Sequence, residues 1–422
     1  MPSAIDTPLL RNSNFRWLLG GGLVSMLGDQ FSMLALPWLV LSLTGDSLSL
    51  GIAVALMGAP RAVLILLGGT VADRYSPLRV MLASKLLNAA ILLLLATLLL
   101  LDQASLALAY AAALALGIAS AFAIPAGTAI LPQAVPAQSL QTANGLQMGA
   151  RQLSLLAGPL LAALVLSAHD GARQTCMAAL AAAFAIDALT FLFSAWTLRQ
   201  VKLRPLAAAT AAQAMWRDMA AGLAMVWRDL PLRSCYAYWA VVAFFVIGPL
   251  QVALPVLASE RLHGAAALGL LMGAHGAGTL AGMLASGMAS ARLRRHFGAT
   301  MLLTDAAVGL LLMALGQIGS NWQGAALLAI AGMLAGYVQV AIFTWIQRRV
   351  APAMLGRAMA LFMGIFLGLA PLSAAATGAL LRHLSVGELF CAGGAMLLAA
   401  AVAAVLWTDI ARITATDVIP QP

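Results

Sequence analysis

Charged side chains are scarce in this sequence: Asp, Glu, Lys and Arg make up 9% of its 422 residues, against 63% hydrophobic. With a mean hydropathy of +0.96, a water-soluble chain of this size is excluded and lipid must be the main solvent. Cysteine is rare as well. Cys176, Cys235 and Cys391 stand far apart and match no metal-ligand or redox spacing, so neither a zinc site nor a disulfide framework is indicated. No phosphate-binding glycine loop, metal box or nucleophile elbow is present, so the sequence implies no enzyme, no cofactor and no ATP hydrolysis; an ion gradient is the energy source that is left. The net charge of +9 does not point to nucleic acid, because the basic residues are scattered singly rather than gathered into a stripe with interleaved aromatics.

What the sequence has in abundance is apolar runs. A helix needs about 20 apolar residues to cross a bilayer core, and cutting at polar, Gly and Pro clusters predicts twelve spans. They cover 15–43, 47–72, 78–100, 104–126, 138–166 and 174–198, then 233–259, 264–290, 298–318, 322–347, 353–381 and 386–408. The predicted organisation is a tail at 1–14, a six-helix bundle at 15–198, a linker at 199–232, a second six-helix bundle at 233–408 and a tail at 409–422. The first span, interrupted by Asp29, is too long for a cleavable signal and is expected to stay. In the linker, Trp216-Arg217-Asp218 recurs as Trp227-Arg228-Asp229. That spacing is about three helical turns and places both Trp residues on one face, as in an amphipathic helix at the membrane interface.

Alternate loops differ in Lys/Arg content. One side carries Arg11, Arg16, Arg74, Arg79, Lys85, the basic linker residues, Arg292, Arg294, Arg295, Arg348, Arg349, Arg357 and Arg412; the other carries Arg173, Arg261 and Arg382. The positive-inside rule therefore predicts both termini in the cytoplasm. The halves also echo each other. Gly69-x-x-x-Asp73-Arg74 has a counterpart in Gly287-x-x-x-Ala291-Arg292, and Pro136 one in Pro352. A tandem repeat of six-helix bundles follows, an arrangement that transporters use.

The loop Gly69-Thr70-Val71-Ala72-Asp73-Arg74-Tyr75-Ser76-Pro77-Leu78-Arg79 resembles the cytoplasmic signature of the major facilitator superfamily, with Ser76 in place of the second Gly and Leu78 in place of a basic residue. The resemblance implies that Asp73 and Arg74, with Gly69 and Arg79, form a cytoplasmic gate that holds the bundles together in the outward-open state. On the fifth span Gly145, Ser154, Gly158-Pro159 and Ala162-Ala163 resemble the antiporter motif of exporting branches, with two glycines replaced by alanine. Small residues at this spacing let backbones approach, and Pro159 bends the helix into a pivot. Ser25-Met26-Leu27-Gly28-Asp29-Gln30 with Ala35-Leu36-Pro37, and Ile130-Leu131-Pro132 leading to Ala143-Asn144-Gly145, are similar to the macrolide-efflux and enterobactin-exporter branch.

Counting about 1.5 Å per residue puts Asp29 and Arg61 at one depth near mid-bilayer. Charges there are costly unless partnered or hydrated. Two readings stand for them: Asp29 as proton acceptor or ligand of a cationic group, or a static ion pair. Arg151 and Asp187 share a depth by the same count. Asp187 reads as a packing residue, and Arg151 as a ligand for an anionic group or a group that rearranges in the access switch. His275 suits proton exchange by its ordinary pKa near ~6.5, or interhelical bonding. Gln251, Gln339 and Trp345 are ligand contacts or interhelical bridges. Phe244, Phe245, Phe343 and the Met residues suit an apolar cavity wall or bundle core.

The sequence thus reads as an all-α integral membrane protein with the major facilitator fold. Its expected function is proton-coupled export of a small amphipathic molecule, a drug or siderophore, by alternating access, as a monomer in a bacterial inner membrane. The partners are substrate, protons and the lipid bilayer. Uptake of a metabolite, lysolipid flipping and a membrane receptor are the other readings.

Overall fold

The computed structural model describes residues 9–167, 173–203, 222–262, 264–288 and 296–414, the side chain of Asp73 and a few others excepted. Among them are twelve helices long and apolar enough to cross a membrane. In chain order these are α1 (Ser13–Thr44), α2 (Ser47–Tyr75), α3 (Pro77–Leu100), α4 (Leu106–Ala134), α5 (Leu140–Ser167), α6 (Arg173–Arg199), α7 (Leu230–Gly248), α8 (Ala265–Met288), α9 (Phe297–Leu315), α10 (Asn321–Arg349), α11 (Pro352–Leu380) and α12 (Val386–Trp407). Starts are set by local chemistry. Ser105, Asp229, Ser320 and Ser385 accept hydrogen bonds from amides of the first turns of α4, α7, α10 and α12, and Ser385 forms a reciprocal box with Glu388.

The largest difference from the expected spans is in α4, which runs to Ala134 rather than 126, straight through Pro125 and Pro132. A Pro that would end a helix in water is tolerated in a membrane helix, where side chains and neighbouring helices can pair the backbone groups it frees. The amphipathic helix expected around Trp216 lies outside the described residues. Trp227 is exposed, with the Arg233 guanidinium 5.4 Å from its ring centre.

The chain divides into two compact units, Met1–Leu43 with Ala59–Ala211 and Thr44–Gly58 with Ala212–Pro422. In the first, α1 and α6 run antiparallel in close contact. A side chain on Gly21 would strike Thr197 and one on Gly28 would strike Thr190, so the two glycines permit the approach. In the second, α8 and α10 meet backbone to backbone. Gly278 and Gly282 back onto the Ala329 and Met333 carbonyls, and Gly332 and Gly336 onto those of His275 and Thr279. The start of α2 belongs to this unit: Gly51 faces the backbone of Gly378 on α11, and the Ser47 hydroxyl donates to the Gly378 carbonyl at 3.2 Å. Just before α2, Asp46 takes two bonds of 3.0 and 3.1 Å from the Arg382 guanidinium. Those bonds hold the Asp46 carboxyl below the usual carboxylate range.

Helix α7 is broken near its middle. Beyond Gly248 it passes through a π turn, Pro249–Ala253, before resuming at Leu254–Glu260. Pro249 and Pro255 lack amide donors, so the regular ladder cannot continue through them. The Ser373 hydroxyl of α11 fills the gap: it accepts from the Gly248 amide at 2.8 Å and donates to the Phe244 carbonyl.

Candidate functional site

The first unit holds a cluster of charged groups in its interior. Asp29 on α1 lies within electrostatic reach of Lys85 on α3 and Arg61 on α2. Lys85 is 8% exposed; its ammonium donates to the Ser25 hydroxyl and stands 4.7 Å from the centre of the Phe191 ring. Asp187 on α6 is 1% exposed and accepts from the Ser32 hydroxyl and from Thr190, the latter at 3.3 Å. It interacts electrostatically with both Asp29 and Lys85. Two carboxylates therefore share one ammonium, with a guanidinium nearby.

The helices explain this meeting. Ser25, Asp29 and Ser32 recur at helical spacing along one side of α1, and Gly28 between them lets α6 come close enough for Asp187 to reach Ser32. A Cβ at Gly28 would lie 2.6 Å from the Asp187 Oδ1. On α3, Ser84, Lys85 and Asn88 form a buried polar patch in an otherwise apolar run. Burying an ion costs several kcal/mol, which only good partners offset. Asp187 has such partners in Ser32 and Thr190. Asp29 does not: it is only partly buried, and no hydrogen bond among the described residues fixes its carboxylate. Of the two carboxylates it is the one left without a hydrogen bond among the described residues.

Two sequence expectations change here. Lys85, grouped with the basic residues of the cytoplasmic side, lies inside the bundle, eight residues beyond the start of α3, or about 12 Å along the helix. Asp187, which reads as paired in depth with Arg151, has hydroxyl partners and Lys85 instead. Arg151 is exposed and acts electrostatically on Arg61. Asp29 and Arg61 feel each other but form no ion pair among the described residues, and the Arg61 Nε is buried without a hydrogen-bond partner.

The other sequence candidates are dispersed. On the signature loop Arg74 and Arg79 are exposed, with the Arg74 guanidinium 5.6 Å from the Tyr75 ring centre; Gly69 faces only Pro125, at 4.0 Å. The side chain of Asp73 lies outside the described residues. Ser76 adopts φ 79, a region that suits Gly, which accounts for the glycine at this place in the family pattern. On α5, Gly145 is open, Ser154 is buried and donates to the Ala150 carbonyl at 2.9 Å, and Gly158, next to Pro159, is packed on Gln30 of α1.

In the second unit His275 is partly buried and no charged group among the described residues acts on its ring. Gln251 lies exposed in the π turn of α7, and Gln339 is exposed on α10. Trp345 is 1% exposed, stacked on Phe297 at 5.3 Å and edge-on to Trp239, so it is part of the core rather than of an open wall. A buried acid that the sequence reading does not single out, Asp305 on α9, faces the Tyr238 hydroxyl of α7. The polar pair Thr304-Asp305 within an apolar run is the signal that marks it.

No curated protein matches the chain. Among solved structures, a D-xylose-proton symporter superposes with a TM-score of 0.71 at 14% identity, covering 96% of this chain and 100% of that one. The nucleoside transporter NupG gives 0.70 at 13% identity, over 92% and 98%. A bacterial homolog of the human lysosomal transporter Spinster, in an inward-facing and occupied conformation, gives 0.70 at 13% identity, over 96% and 97%. At these identities the likeness shows a shared fold. The model of one family, described as transmembrane secretion effector, matches residues 6–422. A chain of twelve apolar helices with this fold and this match belongs to the transmembrane secretion effector family and is a secondary transporter of the major facilitator type.

Proposed function

We propose that the protein exports a small amphipathic molecule in exchange for protons across a bacterial inner membrane, with both termini in the cytoplasm. The observation that carries this reading is the set Asp29, Lys85, Asp187 and Arg61, in which Asp29 is the carboxylate that is only partly buried and that no hydrogen bond among the described residues fixes. A proton arriving at Asp29 frees Lys85 to pair fully with Asp187; its departure lets Asp29 hold Lys85, Arg61 or a cationic group of the substrate. Proton and substrate thus compete for one carboxylate, which is the thermodynamic requirement for exchange. The family's description as secretion effectors favours the outward direction, and the excess of Lys and Arg on one side favours the orientation.

Respiring inside-out vesicles test this. The wild type is expected to accumulate a lipophilic cationic dye and release it on addition of an uncoupler, while Asp29→Asn accumulates none. Full proton-driven accumulation in Asp29→Asn removes Asp29 from the coupling step. Accumulation only in right-side-out vesicles reverses the direction.

A further inference from the structure

Helices α2 and α11 touch along a strip of small residues that stops partway. A Cβ on Gly51 of α2 would lie 3.0 Å from the Gly378 Cα of α11, and one on Gly58 would lie 2.9 Å from the Pro371 ring. Gly58 follows Gly51 by seven residues and Pro371 precedes Gly378 by seven, so the two helices run antiparallel in one register, about two turns per step. The Ser47 hydroxyl and the Asp46–Arg382 pair fasten the strip at the start of α2. From Ala59 on, α2 belongs to the first unit, and Pro60, inside the helix, lets it bend at that junction.

The strip nevertheless continues in both sequences. The same step of seven brings Ile65 level with Gly364, and four residues further Gly69 is level with Ala360. Gly51, Gly58, Ile65 and Gly69 share one side of α2, and Gly378, Pro371, Gly364 and Ala360 one side of α11. Each of the four levels has Gly on at least one helix, the condition for backbones to approach. Yet the last two levels are bare. A side chain on Gly364, or on Gly368 one turn away, would meet no atom within 4 Å, and Ala360, Gly364 and Gly368 are exposed. Gly69 has only Pro125 of its own unit beside it, at 4.0 Å. An interior Gly weakens a helix relative to Ala, and no contact among the described residues offsets that weakness at Gly364 or Gly368.

We propose that this bare stretch is a second contact of α2 with α11, made when the first one opens. Ile65 seats on Gly364 and Gly69 on Ala360, while Gly51 leaves Gly378 and Asp46 leaves Arg382. The helix turns about the level of Gly58 and Pro371, which serves both arrangements, and the register is kept. The occupant of the bare α11 face is thus a segment of this same chain, residues 62–69 of α2, selected by continuity with the contact already formed. The inference rests on the chain being a secondary transporter, which alternates between two arrangements, and not on the proposed cargo or coupling ion.

Disulfide trapping of the full-length protein in membranes tests this without a substrate. Ile65→Cys/Gly364→Cys and Gly69→Cys/Ala360→Cys are each oxidised with copper phenanthroline, and linked peptides are identified by mass spectrometry. A disulfide brings its Cβ atoms to about 3.8 Å, closer than any atom now lies to a Cβ at Gly364 or Gly69, so bridging reports the second arrangement. Both pairs are expected to bridge. Val63→Cys/Gly364→Cys controls for collision, because Val63 is 72% exposed and stands a third of a turn off the strip; it should not bridge above the single-cysteine variants. Gly364→Leu enters open space, so the thermal unfolding midpoint should hold or rise, while bridging of Gly69→Cys/Ala360→Cys is lost because the leucine keeps the backbones apart. Gly364→Ala should retain it. Equal bridging by the Val63 and Ile65 pairs, no bridging by either strip pair, bridges between two copies instead of within one chain, or bridging that survives Gly364→Leu each overturn the proposal. None of these readouts uses the dye assay, so the exporter reading and this contact fail separately.

Discussion

The two units bury polar atoms in opposite ways. The first sets Asp29, Lys85, Asp187 and Arg61 among short hydroxyl side chains, with the Phe191 ring beside Lys85. The second is built on rings: Phe362 contacts Tyr236, Trp239, Phe343 and Phe366, and Trp345 contacts Trp239 and Phe297. One register position makes the contrast sharp. Lys85 and Asp305 each follow the first residue of their helix by eight, on α3 and α9, the third helix of each half. The first is an ammonium between two acids; the second is an acid facing a phenol. Repetition of the architecture has not repeated the chemistry. On the proposed reading, it is the ionic interior that handles protons.

Breaking the ionic interior should have the largest effect. Lys85→Met leaves the buried Asp187 and the partly buried Asp29 without their ammonium and should cost about 3–5 kcal/mol, read as a fall in the thermal unfolding midpoint in detergent. Adding Asp187→Asn should restore a good part of that loss; if it does not, the acids and the ammonium are not one network. Phe362→Ala should cost a similar amount, about 3–5 kcal/mol, through the cavity it leaves. Its expected signature differs: the pH dependence of transport stays as in the wild type. A displaced pH profile would show that the aromatic unit takes part in proton handling and would end the division of roles.

Smaller effects lie outside the spans. Ser76→Gly should raise stability by about 1 kcal/mol, since relief of the positive φ exceeds the freedom that Gly adds to the unfolded chain. Thermal unfolding at neutral pH reads this directly. The smallest effect belongs to the Asp46–Arg382 pair, which is exposed on the Arg382 side. Because the Asp46 carboxyl is held below its ordinary range, its contribution is complete above the unfolded value of about 3.9 and is lost as the pH falls below it. The difference in unfolding midpoint between the wild type and Asp46→Asn should be flat above about pH 5 and shrink below about pH 4. A difference that instead grows on acidification contradicts the pairing.

The span pattern was legible in the sequence because lipid demands long apolar runs. Other features were hidden for physical reasons. A count of basic residues near span ends groups Lys85 with the charges of the cytoplasmic side, since one turn and two turns into a helix look alike in composition. Asp305 is a single acid in an apolar run, and only packing reveals that Tyr238 faces it. The close approach of α1 to α6 through Gly21 and Gly28 depends on Thr190 and Thr197, far away in the chain. Pro125 and Pro132 read as boundaries under the rules of soluble helices, which do not hold in lipid.

The hydroxyl of Ser373 lodged in the backbone of α7 has a mechanical implication. Were α7 and α11 to slip by one turn, the Gly248 amide and the Phe244 carbonyl would be stripped together, at a cost of several kcal/mol where no water can replace the lost partner. The two helices are riveted at that level. Any movement that carries cargo through this half of the molecule must take them as a single strut, and must find its give in some other seam.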